Sequence, residues 1–93
     1  MAAISGQKTV TTAGTELALG TAQVDGPLMV KALDTNTGVV ALGNDGAGVL
    51  TTSTGIRLTA GEVVVFAWVG NLGSIMIDSA VNGEGVSWIA LNV

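Results

Sequence analysis

The sequence predicts an all-β protein, a single antiparallel sandwich or barrel of about eight short strands with essentially no helix. Three observations carry that expectation. Apolar runs of about four to seven residues fill the chain from Lys8 to Val93. Clusters of Gly, Asn and Asp separate them at intervals of about eight to twelve residues, the spacing of strands and turns. No stretch holds the 3.6-residue period of an amphipathic helix.

Taken in order, Met1 to Gln7 has small residues and no period and reads as an N-terminal arm, leaving residues 8–93 for the sandwich. Thr9, Val10 and Thr11 suit a strand, because β-branched side chains fit a pleated surface. Ala13-Gly14 turns the chain into a short strand at Glu16 to Leu19. Gly20 to Pro27 reads as a longer loop, with Asp25-Gly26-Pro27 as its turn. Leu28 to Leu33 alternates, placing Leu28, Val30 and Ala32 on one side and Met29, Lys31 and Leu33 on the other. Thr35-Asn36-Thr37-Gly38 is expected to be a tight connection in which Asn36 and Gly38 can accept positive φ, with Val39 to Leu42 pairing back as a hairpin.

Gly43 to Gly48 is a Gly-rich loop expected to be flexible, followed by a strand at Val49 to Thr52, an interruption at Ser53-Thr54-Gly55, and Ile56 to Leu58 as its continuation or a small separate ladder. Thr59-Ala60-Gly61-Glu62 turns into the strongest strand, Val63 to Val69. Gly70 to Gly73 turns again into Ser74 to Asp78. Asn82-Gly83-Glu84-Gly85 closes the last loop before the final strand, Val86 to Val93.

Two of these strands lack a polar side. Val63, Val65, Ala67 and Val69 alternate with Val64, Phe66 and Trp68; Val86, Trp88 and Ala90 alternate with Ile89, Leu91 and Val93. One side of each fills a core, and the other needs a neighbouring sheet, the arm or another subunit to cover it. Composition points the same way. Apolar residues make up 48% of the 93-residue chain and charged ones only 11%, against about 25% in ordinary domains. A domain this small hides roughly 65% of its unfolded surface. Some apolar side chains must therefore face outward, and a homo-oligomer is the expectation.

Several functions are disfavoured. The net charge is −4, and Lys8, Lys31 and Arg57 are scattered, so there is no basic patch for nucleic acid. The longest apolar run, Val63 to Val69, is far too short to span a bilayer as a helix, so no membrane partner is expected. The first residues lack the pattern of a signal peptide, and synthesis in a cytoplasm is the expectation. His, Cys and Tyr are absent, removing the usual general base, thiol nucleophile and phenolic acid. No Gly-x-Ser-x-Gly occurs, and the acids sit mostly at turns, so no enzyme, catalytic residue or cofactor is expected.

Asp34-Thr35-Asn36-Thr37-Gly38 starts like a calcium loop, but its Gly comes one place early and no Glu follows at the required distance. Asn44, Asp45 and Glu84 would form an oxygen cage only if their loops met, and turn chemistry is favoured over a metal. Gly43 to Gly48 has neither the Lys-Ser/Thr pair nor the following helix of a phosphate loop. Trp68 and Trp88 could stack on a sugar ring, although at alternating positions in apolar strands they suit a core or an interface better.

Thr11-Thr12-Ala13-Gly14-Thr15 leads to Leu17, and Lys31-Ala32 precedes Asn36-Thr37-Gly38. Gly55-Ile56-Arg57-Leu58 precedes Gly61-Glu62, and Leu72, Ile75, Ile77-Asp78 and Asn82-Gly83-Glu84-Gly85-Val86 follow. In that order and spacing, over roughly residues 9–91, the chain resembles small virion proteins of tailed bacteriophages. Ala41-Leu42-Gly43 and Met76 depart from it where those proteins often carry Tyr. The resemblance implies a jelly-roll β-sandwich and a non-enzymatic capsid decoration, or cement, protein on the capsid exterior. Its partners would be the phage major capsid protein and copies of itself. The alternative is a tail- or fibre-associated adhesin module that binds a host glycan or protein. The contact residues expected are Ile4 in the arm, Met29 and Leu33 on the outward side of their strand, and Phe66 or Trp68 if that side is not core.

Overall fold

A computed structural model describes residues 2–44 and 50–91. Eight strands account for most of it: β1 (Ala3–Val10), β2 (Leu17–Ala18), β3 (Gln23–Ala32), β4 (Val40–Gly43), β5 (Ile56–Leu58), β6 (Val63–Asn71), β7 (Met76–Ser79) and β8 (Glu84–Leu91). The helical content of the described residues is one 3-10 turn, Leu72–Ser74.

The strands pair in nested fashion, β1 with β8, β2 with β7, β3 with β6 and β4 with β5, all antiparallel. That is the pattern of one long hairpin. Two further ladders, β3 with β8 and β4 with β7, roll it up. The result is two four-stranded sheets ordered β1-β8-β3-β6 and β2-β7-β4-β5. This strand order is that of a jelly roll, so the chain is an antiparallel β-sandwich.

The core lies between the sheets. Leu28, Val30, Ala32, Val86 and Ala90 come from the first sheet and Val40, Leu42, Leu58 and Ile77 from the second, all buried. Each fully buried Val or Leu contributes about 1.5–3 kcal/mol relative to exposure. β3 sets the pattern, with even-numbered residues inward and odd-numbered residues toward solvent.

The structure departs from the sequence reading in four places. Residues 3–7, expected as an arm, belong to β1, and Ala3 to Val10 pairs along its length with β8. The expected loop at 20–27 is mostly the first half of β3. Pro27 is tolerated there because the β3–β6 register shifts on either side of Gly26 and pairing with β8 begins only at Leu28. An irregular ladder has room for a residue without an N–H. Val40–Gly43 does not pair back on β3; it crosses to the other sheet between β7 and β5. The crossover is held by Asn36, a buried side chain whose Nδ2 donates to the Gly85 carbonyl at 2.8 Å and whose Oδ1 accepts from Gly85 N. Among the described residues, left-handed glycines sit at 14, 61 and 83, and Gly38 does not take that conformation. Finally, residues 50–52 form no strand but lead into a turn. The Gly-rich loop expected at 43–48 lies mostly outside the described residues.

Candidate assembly surface

The two outer faces of the sandwich are built differently. On the β2-β7-β4-β5 sheet, Ala41 pairs with Asp78 on β7 and with Arg57 on β5. Ala41 and Asp78 point away from the core yet are buried, because the chain's own loops cover them. Leu50, 2% exposed, sits over Ala41 beside Gly55: a Cβ on Gly55 would lie 2.7 Å from Leu50 Cδ1 and 3.0 Å from Ala41 Cβ. The Leu50 amide is held by the Glu16 carboxylate at 3.2 Å. Asp78 accepts from Gly14 N at 3.0 Å and Ser79 N at 2.8 Å, and Asn82 Oδ1 accepts from Ala13 N at 2.7 Å. The loop after β1 is thereby tied down over this sheet.

The β1-β8-β3-β6 sheet has no such cover among the described residues. Its registers place Ser5, Ile89, Met29 and Val65 in one row across the strands, and Gln7, Ser87, Lys31 and Val63 in the next. Ala3 and Leu91 pair beyond the first row. Met29, Val63, Val65, Ile89 and Leu91 are all exposed, Val65 at 60%. Two shallow depressions share Met29 and Ile89 as a common wall. One, of about 350 Å³, adds Pro27, Leu28, Val65 and Leu91 to its lining. The other, of about 210 Å³, adds Lys31, Ser87 and Trp88.

Trp68 extends this surface. Val69 pairs with Gly26 but Phe66 with Leu28, so β6 carries an extra residue at Ala67–Trp68, a β-bulge. Phe66 keeps to the inner side and packs on the core, whereas Trp68 turns outward and is 64% exposed. Its Nε1 donates to Asp25 Oδ1 at 2.8 Å. The indole lies along Gly70, where a Cβ would come within 2.8 Å of Cη2. Trp88, by contrast, faces inward over Gly6 and packs against the core.

The expected contact residues thus divide. Met29 and Trp68 lie on the open face. Ile4 pairs with Ala90 and packs on the core, as Phe66 does, and Leu33 is half-buried just past β3 with its N–H donating to Gly85 O. Sequence reasoning missed Val65, Ile89 and Leu91 as neighbours of Met29, because only the β6–β3–β8 register brings them together. The apolar second side of the final strand was the signal available.

The polar residues of the expected motifs serve the fold. Glu84 accepts from Thr37 N at 2.7 Å, Thr37 Oγ1 at 2.9 Å and Gly38 N at 2.9 Å, clamping the crossover between sheets. The Gly38 and Thr37 amides hold its carboxyl below the usual range. Glu62 closes its turn by accepting from Thr59 Oγ1 and Thr59 N, both at 2.6 Å, and its carboxyl is likewise lowered, first by the hydroxyl. Asp34 pairs with Lys31, and Asn44 donates to Ser74 O. Asp45 lies outside the described residues. Among those described, no three His, Cys, Asp or Glu side chains converge as metal ligands.

No protein-family model, no curated protein and no solved structure matches the chain. The geometry therefore defines it by its own terms: a jelly roll with one face closed by its own loops and one apolar face open.

Proposed function

We propose that the protein is a non-enzymatic structural component of a phage virion, a capsid decoration protein that binds and stabilises the assembled coat shell. The observation that carries this reading is the uncovered apolar face of the β1-β8-β3-β6 sheet. A folded chain that hides Ala41 and Leu50 under its own turns leaves Met29, Val65, Ile89 and Leu91 open, which suits a part meant for assembly. Jelly rolls recur in viral capsid domains, and the motif order supports the narrower assignment. Binding only the assembled shell stabilises that shell by mass action. Synthesis in a bacterial host's cytoplasm and placement on the capsid exterior follow from the same reading.

The test is to purify particles with and without this chain. Decoration predicts a fixed ratio of copies to coat subunits and particles that burst more readily on heating when it is missing. A few copies confined to the tail would overturn it.

A second reading has its own observation. Trp68 presents an exposed indole, held in orientation by Asp25 and Gly70, with a carboxylate at its rim, a combination suited to stacking on a sugar ring. An adhesin predicts polysaccharide binding that Trp68→Ala abolishes while the melting temperature holds.

A further inference from the structure

We infer that the occupant of the open β1-β8-β3-β6 face is a second copy of this chain, packed sheet to sheet about a two-fold axis close to Leu28. The inference rests on reading that face as an assembly surface, but not on a place in a virion.

Charge is the first reason. Among the described residues, the outward positions of the four strands carry two charged side chains, Asp25 and Lys31, both on β3. They lie equally far from Leu28 in opposite directions, each about 10 Å along the strand at roughly 3.3 Å per residue. A two-fold axis lying midway between the two sheets, parallel to them and perpendicular to β3 at Leu28, lays β3 antiparallel across its copy. Each Lys31 then meets the other chain's Asp25 and Trp68, gaining an ion pair and a cation–π contact twice over. Lys31 is available for this. Its contact with Asp34, 3.5 Å long, joins two solvated side chains, and such pairs are readily exchanged. A partner of different sequence would need an acid and a base placed to match; a second copy has them by symmetry.

Shape and area agree. Met29 and Ile89 form a ridge with a hollow on each side, so a rotated copy can set its ridge into the facing hollow. Four strands about 4.8 Å apart and about 26 Å long give a face on the order of 500 Å². Two such faces bury on the order of 1,000 Å², where specific interfaces begin. Aligned sheets packed this way sit about 10 Å apart, as sheets do within a sandwich.

The experiment is sedimentation equilibrium of the purified chain up to about 100 µM, a range that detects association at the weak end of specific binding. Wild type should dimerise. Met29→Glu should weaken dimerisation more than about 100-fold by burying two unpaired carboxylates, with an unchanged melting temperature at dilutions where wild type is also monomeric. Lys31→Asp and Asp25→Lys should each weaken it on the order of threefold to thirtyfold, and the double variant should recover wild-type association. A wild type that stays monomeric, a dimer indifferent to Met29→Glu, or a double variant no better than the singles would each overturn the inference. If the chain is monomeric yet Met29→Glu abolishes binding to coat shells, the face belongs to the coat protein and self-pairing is wrong while decoration stands. If it dimerises as described but binds no shell, pairing stands and decoration fails.

Discussion

The outer faces of the two sheets solve the same problem in opposite ways. Each sheet has apolar positions on the side away from the core. On β2-β7-β4-β5 the chain folds its 11–16 and 50–55 segments back and buries Ala41 and Asp78 under them. On β1-β8-β3-β6 no described segment folds back over the outer side, and Met29, Val65 and Ile89 stay open. A face closed from within contributes to the stability of the single chain. A face left open contributes only when something else arrives.

That contrast can be broken from either side, and the largest effect belongs to the closed face. Leu50→Ala removes the side chain that plugs it and should cost about 2–4 kcal/mol of stability, measured by urea unfolding. A loss below about 1 kcal/mol would mean that the 50–55 turn covers nothing of consequence. Gly55→Ala attacks the same cover differently. Its Cβ would lie 2.7 Å from the Leu42 carbonyl oxygen, so the turn must lift, at about 1–3 kcal/mol.

Glu84 gives a smaller and pH-dependent effect. Its carboxyl is lowered in the folded chain by the Gly38 and Thr37 amides, so its contribution is fully present above the ordinary Glu range and is lost as pH falls through the lowered folded value. Amide protection at Thr37 and Gly38, taken relative to the intrinsic exchange rate at each pH, should fall on acidification through that window. Glu84→Gln should show the reduced protection already at neutral pH, with no further loss on acidification. The smallest effect belongs to the open face. Met29→Thr should change the dilute chain's stability by no more than about 0.5 kcal/mol, a null result that contrasts directly with Leu50→Ala.

Much of this architecture was legible in the residues. The alternation of Leu28, Val30 and Ala32 against Met29 and Lys31 fixed both sides of β3, and the two-sided apolar character of Val63 to Val69 correctly signalled an uncovered face. What escaped was long-range. The segment at 3–7 has no period of its own and is a strand only because β8 lies beside it. Asn36-Thr37-Gly38 looks like hairpin chemistry, and only the bonds from Asn36 to Gly85 and from Thr37 to Glu84 turn it into a crossover. Phe66 and Trp68 alternate in sequence, a spacing that predicts a shared side. A single extra residue in β6 separates them, and no local pattern announces a bulge whose partner strand carries Gly26 and Pro27.

The most direct measurement is peroxide oxidation of methionine, read by mass spectrometry on the chain at increasing concentration and on assembled particles. Met29 is 44% exposed on the open face, and Met76, half-buried on β7 in the other sheet, serves as the internal reference. Met29 should become several-fold slower to oxidise as the chain assembles, while Met76 keeps one rate throughout. Equal oxidation of Met29 in the dilute chain, the concentrated chain and the particle would show that nothing covers this face.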